Sequence, residues 1–330
     1  MREQAPSAPV PGARRTRWRA TLAALAVAGV VAGCGGSGAS SPSLAPPASP
    51  EPASPEPASP SPSATAPATP TSEGPVTWTL AWSDEFDGPA GAPPDPATWG
   101  YDLGDGSTVG LAGWGNLELQ DYTASPANAA TDGEGHLVIS VLRADGSVRC
   151  YYGPCEYTSA RLVTRDRLEV EHGRIEARVK VPGAAGLWPA FWMLGADHPE
   201  VAWPDCGEID IMEFVGRRPN EVFGTIHGPG YSGSGGLTQT LDLGRPVADD
   251  FHVFAIDWRP GSITWSVDGE VYHEARPDDV APNRWVFDQP FFMILNVAVG
   301  GNLGGPVAAN IPLPQSMVVD YIRHYREATP

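Results

Sequence analysis

Three carboxylates stand within six residues, at Glu208, Asp210 and Glu213, in the run Gly207-Glu208-Ile209-Asp210-Ile211-Met212-Glu213-Phe214. On a β-strand side chains alternate faces, so Glu208 and Asp210 share one face while Ile209 and Ile211 take the other. Glu213, five positions after Glu208, has the wrong parity for that face. One extra residue, a β-bulge around Ile211 and Met212, restores it and puts all three acids on one surface. Two carboxyl groups held about 5–5.5 Å apart can carry out double displacement at an anomeric carbon, one as nucleophile and one as acid/base. The plainer alternative is a half-buried strand with a polar outer face.

The elements that must position these acids are strands. Short alternating runs recur between Gly, Pro and Asp turns at 136–142, 173–181, 251–258, 262–267 and 271–274. Asp268-Gly269 sits where a type I′ hairpin turn is favoured. Helix-periodic segments of any length are missing from the pattern, and many short strands with regular turns predict an all-β sandwich. Residues 76–327 suffice for one such domain.

The first quarter of the chain reads differently. Arg14, Arg15, Arg17 and Arg19 precede an apolar run from Ala20 to Ala32, followed by Gly33-Cys34. A basic start, a short apolar run and small residues before a cysteine read as a lipoprotein export signal over residues 1–33, with Cys34 acylated. An ordinary secretory signal is the alternative. Residues 34–75 are dominated by Pro, Ser and Ala, which cannot offset their ordering entropy by burial, so they are expected to stay disordered. At about 3.1 Å per residue such a tether could reach roughly 100 Å from a membrane. The chain is thus expected to be extracellular and lipid-anchored, with secretion as the alternative.

Charge narrows the partners. The formal net charge is −18, and loss of the cationic signal leaves about −22. Lys180 is the one lysine, and no basic stripe exists to hold phosphates, so nucleic acid is excluded. An acidic polysaccharide is disfavoured for the same reason, whereas a neutral one is not. Cys150 and Cys155 flank a short turn that a disulfide could close, worth at most about 2 kcal/mol. Cys206 is then left as a small buried thiol. A monomer is expected.

Gly207–Phe214 resembles the Glu-Xaa-Asp-Xaa-Xaa-Glu signature of glycoside hydrolase family 16 in its bulged, laminarinase-like form. So do Trp82–Gly88, Gly113–Gln120, Tyr157–Arg161, Gly186–Leu194, Asn296–Gly301 and Val319–Arg323, in the family's order across nearly all of 76–327. The resemblance implies a jelly roll whose concave sheet forms a substrate cleft. It implies a retaining endo-β-1,3-glucanase with Glu208 as nucleophile, Glu213 as acid/base and Asp210 orienting Glu208, and with no cofactor for catalysis. A mixed-linkage β-1,3-1,4-glucanase, a transglycosylase and a non-catalytic glucan-binding protein are the rival readings. Trp188 and Trp192, four apart, are expected to line the cleft as sugar platforms, with Phe191 and Met193 turned to the core. Trp114 and Asn116 match a loop touching non-reducing-side sugars. His227 matches a histidine near the acid/base, and Asn296 is a further substrate contact. Leu303 stands where many laminarinases carry an aromatic. Glu85 and Asp320 match positions that hold a structural calcium in relatives.

Overall fold

A computed structural model describes residues 76–328. The expected export signal over 1–33, Cys34 and the whole 34–75 linker lie outside the described residues.

Alternation drives the fold. In Leu137–Arg143 the residues Leu137, Ile139 and Val141 are fully buried while their neighbours are half-exposed. The strands Gly173–Lys180, His252–Arg259, Ser262–Val267 and Glu270–Ala275 fall within one or two residues of the expected runs. Asp268 and Gly269 both have positive φ, 51° and 85°, as a type I′ turn requires. The remaining described structure is nearly all strand, interrupted by short turns of helix such as Pro277–Val280 and Gly301–Gly304.

Two large sheets result. One runs, in spatial order, Glu270–Ala275, Ser262–Val267, His252–Arg259, Gly173–Lys180, Gln315–Glu327, Leu137–Arg143, Tyr157–Ser159 and Gln120–Tyr122. The other runs Leu237–Asp242, Glu221–His227, Glu208–Phe214, Leu187–Gly195, Phe291–Val299, Arg161–Val163 and Gly100–Tyr101. We call the second the acid sheet and Glu208–Phe214 the acid strand. Sequence neighbours are mostly spatial neighbours, but Phe291–Val299 returns from far along the chain to sit beside Leu187–Gly195.

The core lies on one face of the acid sheet, and the period-two rule shows which. Along Phe291–Val299, Phe291, Met293, Leu295 and Val297 join the main core, whereas Phe292 and Ile294 join a smaller apolar cluster with Leu194 and Trp192. Asn296 continues that second face. Phe191 and Met193 likewise enter the main core, leaving Trp188 and Trp192 on the other side. Pro189 sits inside the continuous strand Leu187–Gly195. It is tolerated there because pairing with the acid strand begins only at Ala190, so Pro189 has a strand neighbour on one side alone. Residues 76–328 form an all-β sandwich with a jelly-roll architecture.

Candidate active site

The acid strand carries the expected bulge. Asp210 pairs with Trp192 on one side and Thr225 on the other, while Glu213 pairs with Ala190 and Phe223. Two residues, Ile211 and Met212, therefore oppose a single residue on each neighbour, Phe191 and Gly224. Both bulged side chains point into the main core and are almost fully buried. Parity flips there, and Glu213 returns to the face of Glu208 and Asp210.

The opposite sheet helps hold the bulge in place. The Trp265 indole crosses the core and donates a 2.8 Å hydrogen bond to the carbonyl oxygen of Asp210. Gly224, facing the bulge, makes room for it: a Cβ there would lie 2.6 Å from the Trp265 ring and 2.5 Å from the Tyr272 hydroxyl. The bulge is an insertion in one strand supported by a partner in another sheet.

Around the acids stand four polar groups and a set of rings. Trp203 Nε1 donates to Glu208 Oε2 at 2.6 Å, and Trp188 Nε1 donates to Glu213 Oε1 at 2.9 Å. His227 Nε2 lies 3.3 Å from Asp210 Oδ2 and 3.9 Å from Glu208 Oε1. Trp192 Nε1 donates to Asn296 Oδ1 at 2.7 Å, which fixes the ring at its edge.

Burial sets the electrostatics of this cluster. Glu208 is pushed up to about 8, first by loss of solvent and then by the neighbouring charge of Asp210. Glu213 is pushed up to about 7 by loss of solvent and by the charge of Glu208. Asp210 is held well above the usual carboxylate range by burial and by Glu213, and a hydrogen bond links it to Glu208. Three adjacent buried carboxyls cannot all ionise, so the group keeps protons near neutrality and titrates as a unit. That is the condition for one carboxyl to attack while another donates a proton.

The remaining predicted contacts join through a second network. The Arg161 guanidinium lies between two rings, 4.5 Å from the Trp114 centroid and 4.7 Å from that of Trp192. Asn116 donates to the buried Glu118, which also accepts from Gln120 and Tyr122. Tyr122 in turn accepts from Asn296. Glu118, Tyr122, Asn296 and Trp192 thus form one hydrogen-bonded chain. The Asn302 amide donates to the Asn116 carbonyl and ties the two flanking loops together. Leu303 is half-exposed, and its carbonyl holds Arg217.

Trp203, Arg161, Glu118 and Tyr122 were not singled out as site residues in the sequence. Trp203 had a usable signal, being an aromatic in the loop that runs directly into the acid strand. Glu118, Gln120 and Tyr122 share the parity of one strand face.

The calcium expectation does not fit the folded residues. Glu85 accepts two hydrogen bonds from Arg323, at 2.9 and 2.8 Å, and this pairing holds its carboxyl below the ordinary value. Asp320 is taken by Arg178 at 2.5 Å. A cation there would have to displace both arginines, so the pair is assigned to ion pairing. Cys150 and Cys155 are bonded, closing a small hairpin, and Tyr151 in that hairpin packs against Gly113 of the Trp114 loop. Cys206 is a buried free thiol pushed up to about 12 by desolvation, which leaves it unreactive.

This geometry has close counterparts. Over 258 residues the chain is 44% identical to a beta-glucanase of Rhodothermus marinus, covering 76% of this chain and 85% of that protein. The endo-beta-1,3-glucanase structure from Pyrococcus furiosus matches with a TM-score of 0.72 and 45% identity, covering 77% of this chain and 97% of that one. The laminarinase catalytic domain from Thermotoga maritima MSB8 matches with a TM-score of 0.71 and 44% identity, over 76% and 99% of the two chains. The model of glycosyl hydrolases family 16 matches residues 119–323, and with the bulged acid strand at the centre of that match, the chain belongs to that family.

Proposed function

We propose that the domain hydrolyses β-1,3-glucan chains internally, with retention of anomeric configuration, through a covalent glycosyl-enzyme. The observation that carries this reading is the bulged strand that gathers Glu208, Asp210 and Glu213 on one face, beside Trp188 and Trp192. Similarity to proteins named laminarinase and endo-1,3-beta-glucanase supplies the linkage.

In the first half-reaction a Glu208 carboxylate oxygen attacks the anomeric carbon while the glycosidic bond breaks and Glu213 gives its proton to the departing oxygen. The Trp203 N–H stabilises the attacking carboxylate and fixes its direction. Asp210 holds Glu208 through their shared hydrogen bond, and it keeps the shared proton while Glu208 attacks as the carboxylate. In the second half-reaction Glu213, now anionic, takes a proton from water, whose oxygen attacks the anomeric carbon and releases Glu208. Nucleophile and proton both come from side chains. Trp188 couples binding to chemistry, since its indole holds the acid/base while its ring lines the cleft.

We propose further that residues 1–33 act as an export signal, that Cys34 is acylated and that 34–75 tether the domain outside the cell, where a polymer too large to import would be met. Mass analysis of the exported chain tests the lipid. Proton NMR during laminarin digestion by the purified chain tests the reaction. β-Configured reducing ends should appear first and then mutarotate. Early α-anomer would overturn double displacement, and an inert laminarin with rapid release from lichenan would replace the substrate.

A further inference from the structure

Glu208 and Asp210, which the proposed reaction uses, also stand with His227 in a grouping of donors that could hold a cation. Trp203 occupies Oε2 of Glu208, leaving the other oxygen, Oε1, turned toward His227 Nε2 at 3.9 Å. His227 Nε2 lies 3.3 Å from Asp210 Oδ2. One donor atom each from Glu208, Asp210 and His227 falls within 4.8 Å of the others, and this is the one such grouping of three among the described residues. Asp210 is 2% exposed and its Oδ2 has no hydrogen-bond partner among the described residues. A buried acceptor without a donor is costly, so a cation aimed at that oxygen would relieve it.

The spacing selects the ion. Ligands bound at about 2.0–2.2 Å in a tetrahedron lie roughly 3.4 Å from one another. The His227–Asp210 separation, 3.3 Å, already has about that value, the His227–Glu208 separation of 3.9 Å is about half an ångström longer, and no pair in the grouping exceeds 4.8 Å. One imidazole nitrogen and two carboxylate oxygens suit zinc and its neighbours in the first transition series better than calcium or magnesium, which prefer more oxygens. The His227 ring packs closely against Gly236, where an added Cβ would lie 2.4 Å from it. Three protein ligands would leave a fourth position open to water.

We propose that Glu208, Asp210 and His227 form a binding site for a borderline divalent transition metal, with Zn²⁺ as the representative ion. The bound ion holds the carboxylate that would otherwise attack the sugar, so the loaded protein is a reversibly blocked form. Glu213 lies outside the grouping, engaged by Trp188. The site rests on the donors and not on the identity of the glucan, so it stands even if the substrate reading is replaced.

Titration calorimetry of the tag-free chain with zinc chloride at pH 7 tests this without any substrate. One saturable site is expected for the wild type and for Glu213→Gln. His227→Gln and Asp210→Asn should each weaken it by at least about tenfold. Circular dichroism and Tm of the metal-free variants separate lost binding from lost folding. Cobalt(II) should give a visible absorption band of tetrahedral intensity that disappears in His227→Gln. Calcium and magnesium chloride should give no saturable heat. Zinc binding that survives both ligand substitutions in folded protein, equal binding of calcium, or no binding to the wild type would each overturn the site. Laminarin hydrolysis in a chelator-treated sample tests the proposed activity separately.

Discussion

Two groups of carboxylates, one on each sheet, are treated in opposite ways. On the sheet that carries Gln315–Glu327, acids stand beside arginines: Glu85 with Arg323, Asp320 with Arg178, and both Glu176 and Asp257 with Arg174. On the acid sheet Glu208, Asp210 and Glu213 are gathered together and the ionisable partner they share is a histidine. The consequences have opposite sign. Glu85 is held below its ordinary value, whereas the three cleft acids are pushed above theirs. The comparison teaches that this fold can satisfy carboxylates where it needs stability and withholds that satisfaction where it needs a reactive proton.

The largest break in the comparison comes from Glu208→Gln. Removing the attacking oxygen should lower kcat on laminarin by about 10³-fold or more, while binding of the glucan persists. The same variant should alter stability in a direction that a structural residue would not. Glu208 has an ordinary value of 4.5 and a folded value of about 8, so the folded state binds the extra proton between those limits. Stability is therefore full below about pH 4.5 and falls as pH rises through about 8. Glutamine carries no proton to lose, so Glu208→Gln should raise Tm relative to wild type above pH 7, by a few degrees, and flatten its fall. Thermal scans from pH 5 to 9 check it, and a variant that loses Tm throughout that range would remove the argument.

Gly224→Ala sharpens the comparison by attacking the bulge without touching an acid. The added methyl must displace Trp265 or Tyr272, which pack within 2.6 Å of its position. Loss of the Trp265 bond to the Asp210 carbonyl would let the bulge relax and shift Glu213 against Glu208. A destabilisation of about 1–3 kcal/mol is expected from overpacking, measured by denaturant unfolding. The informative readout is kcat, which should fall roughly tenfold or more while KM moves little, because a misplaced reacting group loses rate before it loses binding.

Much of this was legible in the strand code. The parity mismatch between Asp210 and Glu213 predicts an inserted residue, and the register shows one. The alternation that sends Phe191 and Met193 inward sends Trp188 and Trp192 to the cleft. What remained hidden depends on long-range register and on loops, where no period exists. Trp265 reaches Asp210 from another sheet, 55 positions away. Trp203 lies in an aperiodic turn, and only the folded path of that turn brings its indole to Glu208. Arg161 was visible in a motif, but its place between Trp114 and Trp192 needs three separate segments to meet. The arginine partners of Glu85 and Asp320 were hidden in the same way, because they are chosen by cross-strand neighbours. Arg178 faces Tyr321 in the register and so reaches Asp320 next to it.

The smallest effect belongs to the ion-paired side, and its smallness is the point. Glu85 and Arg323 form a two-pronged pair, but their side chains are 38% and 32% exposed, so water already screens most of the attraction. Glu85→Gln should cost less than about 1 kcal/mol and leave laminarin turnover unchanged. Its pH dependence runs opposite to that of Glu208. With the folded carboxyl held below 4.5, the pair's contribution is present above that value and fades as pH falls through the lower, folded one. The difference in Tm between wild type and Glu85→Gln should therefore be visible at pH 7 and vanish in acid. Added calcium should leave both proteins unmoved, since Arg323 already fills the place a cation would take. A rise in wild-type Tm with calcium that Glu85→Gln abolishes would show the arginine yielding, and would return Glu85 to the role its sequence position first implied.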